Sequence, residues 1–224
     1  MENANEKINK ILKELTLTRE DLWALSDDIW HNLDHSSVEE VQAATEFQIQ
    51  YLKLLDRFAQ NSEEISALIS QFTGIKEEET PVINDVKDSS NERLVKELNK
   101  EEPHYFSEDF TYKRPYAIVI ENCAYKNLET WKDVYKQICK HLAKKDINLF
   151  DSLTSSTDLI SKQKKKYYVT DRKQVRSAVQ ITDKTFVEMN LSASEFMKRI
   201  QEMFNIFKLT EKSLVIYLRQ DRNA

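Results

Sequence analysis

The sequence predicts an α+β protein in two parts. An N-terminal antiparallel helical bundle or coiled coil is joined by a flexible linker to a mostly antiparallel sheet with two helices on one face. Three observations carry this reading. Apolar residues recur at helical spacing through residues 1–74, a polar stretch follows over 75–102, and from residue 103 helical and alternating patterns interleave. Charge divides at the same boundary. Residues 1–102 hold 11 Lys+Arg against 23 Asp+Glu, a net of −12, and residues 103–224 hold 22 against 15, a net of +7. The whole-chain net of −5 therefore conceals an acidic part and a basic part.

In the first part, Ile8, Ile11, Leu12 and Leu15 form one apolar stripe. Thr18 and Asp21 resemble a capping box opening a second helix that carries Leu22, Leu25, Ile29 and Leu33. Ser37 and Glu40 give another box. Behind it a heptad register runs on, with Ala44, Tyr51, Phe58, Ile65 and Phe72 at one position and Val41, Gln48, Leu55, Ser62 and Ile69 at the other. Unbroken from Val38 to Thr73, that helix is roughly 54 Å long. Asn61-Ser62 is the place where it could break, because both residues favour caps over helix interiors.

Residues 75–102 read as an acidic linker with a short helix around Leu94, Val95 and Leu98. The second part, 103–224, opens with a strand at 115–120 that turns near Glu121-Asn122 into a short strand around Ala124-Tyr125. After an Asn127 cap, Trp131, Val134, Tyr135, Ile138 and Leu142 mark an amphipathic helix. A loop over 148–161 leads to a strand near 167–169 and a hairpin pairing 178–181 with 185–189. Ser192 and Glu195 cap a helix bearing Phe196, Ile200, Met203, Phe204 and Phe207. The nearly all-apolar run 213–218 reads as a central strand.

Gly74 is the sole glycine, which excludes phosphate-cradling and dinucleotide-binding loops and nucleophile elbows, all of which need glycine for positive φ or close backbone approach. No apolar run is long enough to span a membrane, and the opening residues lack the basic and apolar regions of a secretory signal. Cys123 and Cys139 belong to no C-x-x-C pair, so two separate thiols in a reducing cytoplasm are expected, and no zinc ribbon. His31 and His35 lie four apart near Asp27, Asp28 and Asp34, but the pattern lacks a metalloprotease signature and reads as polar positions near a turn. No metal, cofactor or catalytic residue is expected.

The basic surface is the candidate site. Lys132, Lys136, Lys140 and Lys144 recur at i+4 on the first helix of the second part, off its apolar face. Like charges at that spacing repel by a few tenths of a kcal/mol, so the row favours a nearby anion. Between 162 and 176 lie Lys162, Lys164, Lys165, Lys166, Arg172, Lys173 and Arg176 against one acid, Asp171. Tyr167, with Tyr168 beside it, interleaves there in a pattern suited to base stacking on single strands.

The run Tyr112-Lys-Arg-Pro-Tyr-Ala-Ile-Val-Ile, the helix from Trp131 to Leu142 and the stretch Phe186-Val-Glu-Met-Asn-Leu-Ser-Ala resemble, over about residues 103–224, an uncharacterised C-terminal α+β module of bacterial hypothetical proteins. Some of these are carried on mobile elements or lie near restriction and defence genes. The resemblance implies a bacterial, cytoplasmic setting and carries over no activity. The expected function is non-enzymatic: an acidic helical domain that associates with itself or a protein partner through residues 1–74, and a basic module that binds DNA or RNA. The alternative is an adaptor or inhibitor in phage defence or counter-defence. A metal-dependent nuclease built around the strand glutamate Glu188 ranks third.

Overall fold

The computed structural model describes residues 4–33, 37–74, 89–156, 159 and 166–219. The chain divides into two compact units, residues 1–78 and 79–224.

The first unit is a helical hairpin of α1 (Ala4–His31) and α2 (Val38–Thr73). The expected break before Thr18 does not occur. No glycine or proline interrupts residues 4–31, and a threonine costs a helix interior only a fraction of a kcal/mol. Ser37 does cap α2, its hydroxyl accepting the Glu40 N–H at 3.2 Å. Asn61-Ser62 does not break α2, because the Ser62 hydroxyl turns back to donate to the Phe58 carbonyl at 2.7 Å. Gly74 ends the helix in the left-handed region at φ 71°, its N–H bonded to the Ser70 carbonyl. The helices run antiparallel: Gln48 bonds Ser26 at 2.7 Å, Tyr51 donates to the Leu22 carbonyl at 2.8 Å, and Arg19 reaches Glu63 at 3.7 Å. Between them lie Leu12, Ala24, Ala44, Leu55 and Ala59.

The second unit holds two three-stranded antiparallel sheets rather than one continuous sheet. In the first, β1 (Pro115–Ile120) is central, flanked by β2 (Cys123–Lys126) and β6 (Leu214–Leu218). The β1–β2 connection is Glu121-Asn122, with φ 47° and 66°, the positive pair that a two-residue hairpin of matching twist requires. Contrary to the sequence expectation, β6 is an edge strand. Its apolar run is explained by burial on both sides: Leu214 and Ile216 join the main core, and Tyr217 faces the opposite layer. Its outer edge is partly closed by His104, which exchanges two backbone hydrogen bonds with Ile216.

The opposite layer is α3 (Ser89–Leu98), which lies in the stretch expected to be linker. Residues 75–88 lie outside the described residues. From 89 onward the chain is part of the second unit, because Leu98 is fully buried among Ala117, Val119, Ala124 and Tyr217. Asn91 fixes the helix to the hairpin, donating to the Asn122 carbonyl at 2.8 Å and accepting the Ala124 N–H at 2.9 Å.

On the main-core side lie α4 (Trp131–Lys145) and α6 (Ala193–Ile206). The α4 cap is Thr130 in a reciprocal box with Asp133, not Asn127, which takes φ 62° in the preceding turn. Ser192 caps α6 as expected. The expected loop at 148–161 instead begins with α5 (Ile147–Ser152) and a 3-10 turn at Leu153–Ser155, and it buries Phe150 and Leu153. The second sheet orders β3 (Tyr168–Val169), β5 (Phe186–Glu188) and β4 (Ala178–Gln180) as β3-β5-β4, so the expected hairpin forms.

Candidate nucleic-acid interface

Helix α4 divides its surface by chemistry. Trp131, Val134, Tyr135, Ile138, Cys139 and Leu142 are buried, while Lys132, Lys136 and Lys140 are half-buried and Lys144 is exposed. The half-buried stems follow from side-chain length, since lysine lays its methylenes along the helix and keeps the ammonium in water. Two acids beside this row make local caps. Asp133 accepts from the Thr130 hydroxyl at 2.8 Å within the capping box, and Asp146 accepts the Leu149 N–H at 2.9 Å to start α5. Lys144 also sits in the last turn, where a cation complements the helix dipole.

Lys145, the next residue along, pairs with Glu121 in the β1–β2 turn. Glu121 also accepts from His141 Nε2 at 3.2 Å, and His141 Nδ1 accepts from the Tyr125 hydroxyl at 3.0 Å. Burial lowers the His141 pKa despite the carboxylate beside it, which favours the neutral ring; its Nε2–H donates to the Glu121 carboxylate, leaving Nδ1 as the acceptor. Burial pushes Glu121 up, but hydrogen bonds from Lys145 and His141 outweigh it and hold the carboxyl below the ordinary range. Burial also raises Tyr125 to about 12, so the phenol stays protonated and donates. This chain from Tyr125 to Lys145 locks the hairpin onto the end of α4. Sequence reasoning missed it, because spacings of 16, 20 and 24 residues match no local period and the contacts arise only when the hairpin packs on the helix.

The second basic group sits on a different element. Lys162, Lys164 and Lys165 lie outside the described residues. Lys166, Arg172, Lys173 and Arg176 are exposed before and after β3. Asp171, the one acid there, accepts the Lys173 N–H at 3.0 Å and starts a 3-10 turn. Tyr167 corrects the stacking expectation. It is 4% exposed, and the Arg199 guanidinium lies 4.2 Å from its ring centre, so neither face is open to a base. Tyr168 is buried too and accepts a hydrogen bond from Tyr135 at 3.0 Å.

Glu188 is turned inward and is 1% exposed. Its carboxylate accepts the N–H groups of Arg176, Ser177 and Asn190, each at 2.9 Å. These bonds occupy the oxygens that a nuclease would offer to a metal, and they pin the end of the basic loop instead. Among the described residues no group of three or more His, Cys, Asp or Glu is placed to hold a metal ion. His31 Nδ1 donates to the Asp27 carbonyl at 2.7 Å, and Asp34 and His35 lie outside the described residues. Cys123 and Cys139 are free, buried thiols, both held protonated by burial.

The unit boundary changes the electrostatics. Residues 79–224 hold 26 Lys+Arg against 22 Asp+Glu, a net of +4, because α3 and its flanks bring acids into the basic unit. The positive character is therefore a local property of α4 and the loop after β3. No family model, curated protein or solved structure matches the chain.

Proposed function

We propose that the second unit binds nucleic acid through its phosphates, with Lys132, Lys136, Lys140 and Lys144 as the principal contacts and Lys166, Arg172, Lys173 and Arg176 as a secondary group. The observation that carries this is the α4 row: four lysines at i+4 spacing on one helix, off its buried face. Phosphate contacts position a duplex or strand without reading its sequence. The burial of Tyr167 and Tyr168 removes the stacking contribution to single-strand affinity, which supports a backbone-directed, sequence-tolerant mode.

The test is binding of the full chain to labelled DNA and RNA across a salt series. Affinity falls with salt at a log–log slope of about −0.9 per duplex phosphate neutralised. Lys132/Lys136/Lys140/Lys144→Ala reduces that slope by up to about four such contacts. Circular dichroism stays unchanged, because all four stems lie on the outer face of α4. Absence of binding at low ionic strength overturns the reading.

The helical unit supports an associating role beside this one. It exposes large apolar side chains that include Leu54, Leu68 and Phe72 at 61%, 67% and 90%. Contiguous apolar patches of this kind mark protein contacts. A bacterial setting linked to defence or mobile elements, as the sequence resemblance implies, accommodates either role.

A further inference from the structure

Helix α2 carries two seams, and the hairpin uses one of them. The inner seam, with Ala44, Gln48, Leu55, Ala59 and Ser62, meets α1. The outer seam begins at Phe47 and follows an unbroken 4-3 spacing to Phe72, with Asn61 as its single polar position. Phe47, Leu54, Ile65, Leu68 and Phe72 on it are exposed, and Tyr51 and Phe58 are half-buried. A coiled-coil seam needs a facing helix with the same repeat, and this chain contains one in its own α2.

We propose that two copies of the chain associate through this outer seam, α2 against α2 in antiparallel orientation, closing the two hairpins into a four-helix bundle. It rests on the associating role given above to the helical unit. Charge fixes the orientation. The flank bordering the outer seam and away from α1 carries Gln50, Arg57, Glu64 and Gln71, all exposed. In an antiparallel pair this flank faces its own copy. With Leu54 opposite the partner's Ile65 and Phe58 opposite the partner's Asn61, Arg57 meets the partner's Glu64 and Gln50 meets the partner's Gln71. The two-fold axis makes each pairing twice. In a parallel pair the same flank would instead face the partner's Leu55 and Ser62 side, which is already packed on α1. The antiparallel register also brings the two Asn61 side chains to adjacent layers about the axis, about 4.5 Å apart along it. There they satisfy each other, and a lone seam asparagine is known to fix register. Both α1 helices then fall on one side of the α2 pair, as a closed square bundle requires.

The test is the molar mass of the full chain by sedimentation equilibrium, with a dimer expected at twice 26.5 kDa. Leu54→Glu with Leu68→Glu gives a monomer, and nucleic-acid affinity measured in parallel keeps its salt slope, so failure of this inference is separable from failure of the binding reading. Arg57→Glu raises the dimer dissociation constant about tenfold by placing two like-charge pairs at the axis. Arg57→Glu combined with Glu64→Arg restores it, because the pairs re-form with their signs exchanged. Each variant's helicity is checked by circular dichroism, and the exchange variant reports register even if the glutamate pair unfolds the hairpin. A monomer at tens of micromolar, a dimer indifferent to Leu54→Glu with Leu68→Glu, or no rescue by the charge exchange overturns the proposal.

Discussion

The amide of Asn91 closes two backbone hydrogen bonds on the β1–β2 hairpin, at 2.8 and 2.9 Å, from a buried position on α3. No sequence period marks it, since asparagine in a polar stretch reads as a loop former. Asn91→Ala leaves the Ala124 N–H and the Asn122 carbonyl without that partner and costs about 2–3 kcal/mol, read as a lower urea midpoint at constant slope. His141 makes a pH prediction whose sign follows from its environment. Its folded pKa lies below the ordinary value of about 6.5, so its contribution is complete above that pH and is lost as pH falls through the folded value. Glu121, also depressed, adds a second loss below the carboxylate range. The chain therefore loses stability on the acid side, and His141→Gln flattens that slope in the window that opens below about pH 6.5. An unchanged melting profile over that window would contradict the assignment.

At the scale of elements, α2 follows its caps, whereas α1 runs through the Thr18–Asp21 pattern. Ser37 and Gly74 bound α2 as their chemistry dictates, and Gly74 occupies φ 71° with nothing within 4 Å of where a Cβ would stand. Gly74→Ala accordingly costs only the left-handed backbone term, about 1 kcal/mol, and Gly74→Asn costs less; thermal melts of the two variants order them. The apolar run of β6 misled the strand order, because burial on both faces makes an edge strand look central. Here the second face is covered by α3, an element whose burial rests on Leu98 with support from Leu94 and Val95. The basic row on α4 was legible because it is local, four lysines at one spacing. Tyr167 was misread because a tyrosine beside lysines carries no mark of whether its ring faces outward or lies under Arg199.

For the whole molecule, the two units carry charge of opposite sign, −9 over residues 1–78 and +4 over 79–224. Salt therefore acts on them in opposite senses. Screening relieves repulsion among the helical unit's acids and raises its melting temperature, while the proposed nucleic-acid affinity is expected to fall over the same range. Circular dichroism melts and binding isotherms from 50 to 300 mM salt would show the crossing trends, and parallel trends would contradict it.

The sequence alone determined the helical hairpin's long second helix, the α+β class of the second part, the β1–β2 and β4–β5 hairpins, the Ser37 and Ser192 caps and the lysine row, because each is written in the local spacing of residues along the chain. Only the tertiary structure decided that α3 belongs to the folded unit, that Glu188 serves three backbone amides, that Tyr125, His141, Glu121 and Lys145 form one chain, and that one seam of α2 faces α1 while the other stays open. Those outcomes depend on which surfaces meet, and burial is a property of the packed chain that local spacing does not encode.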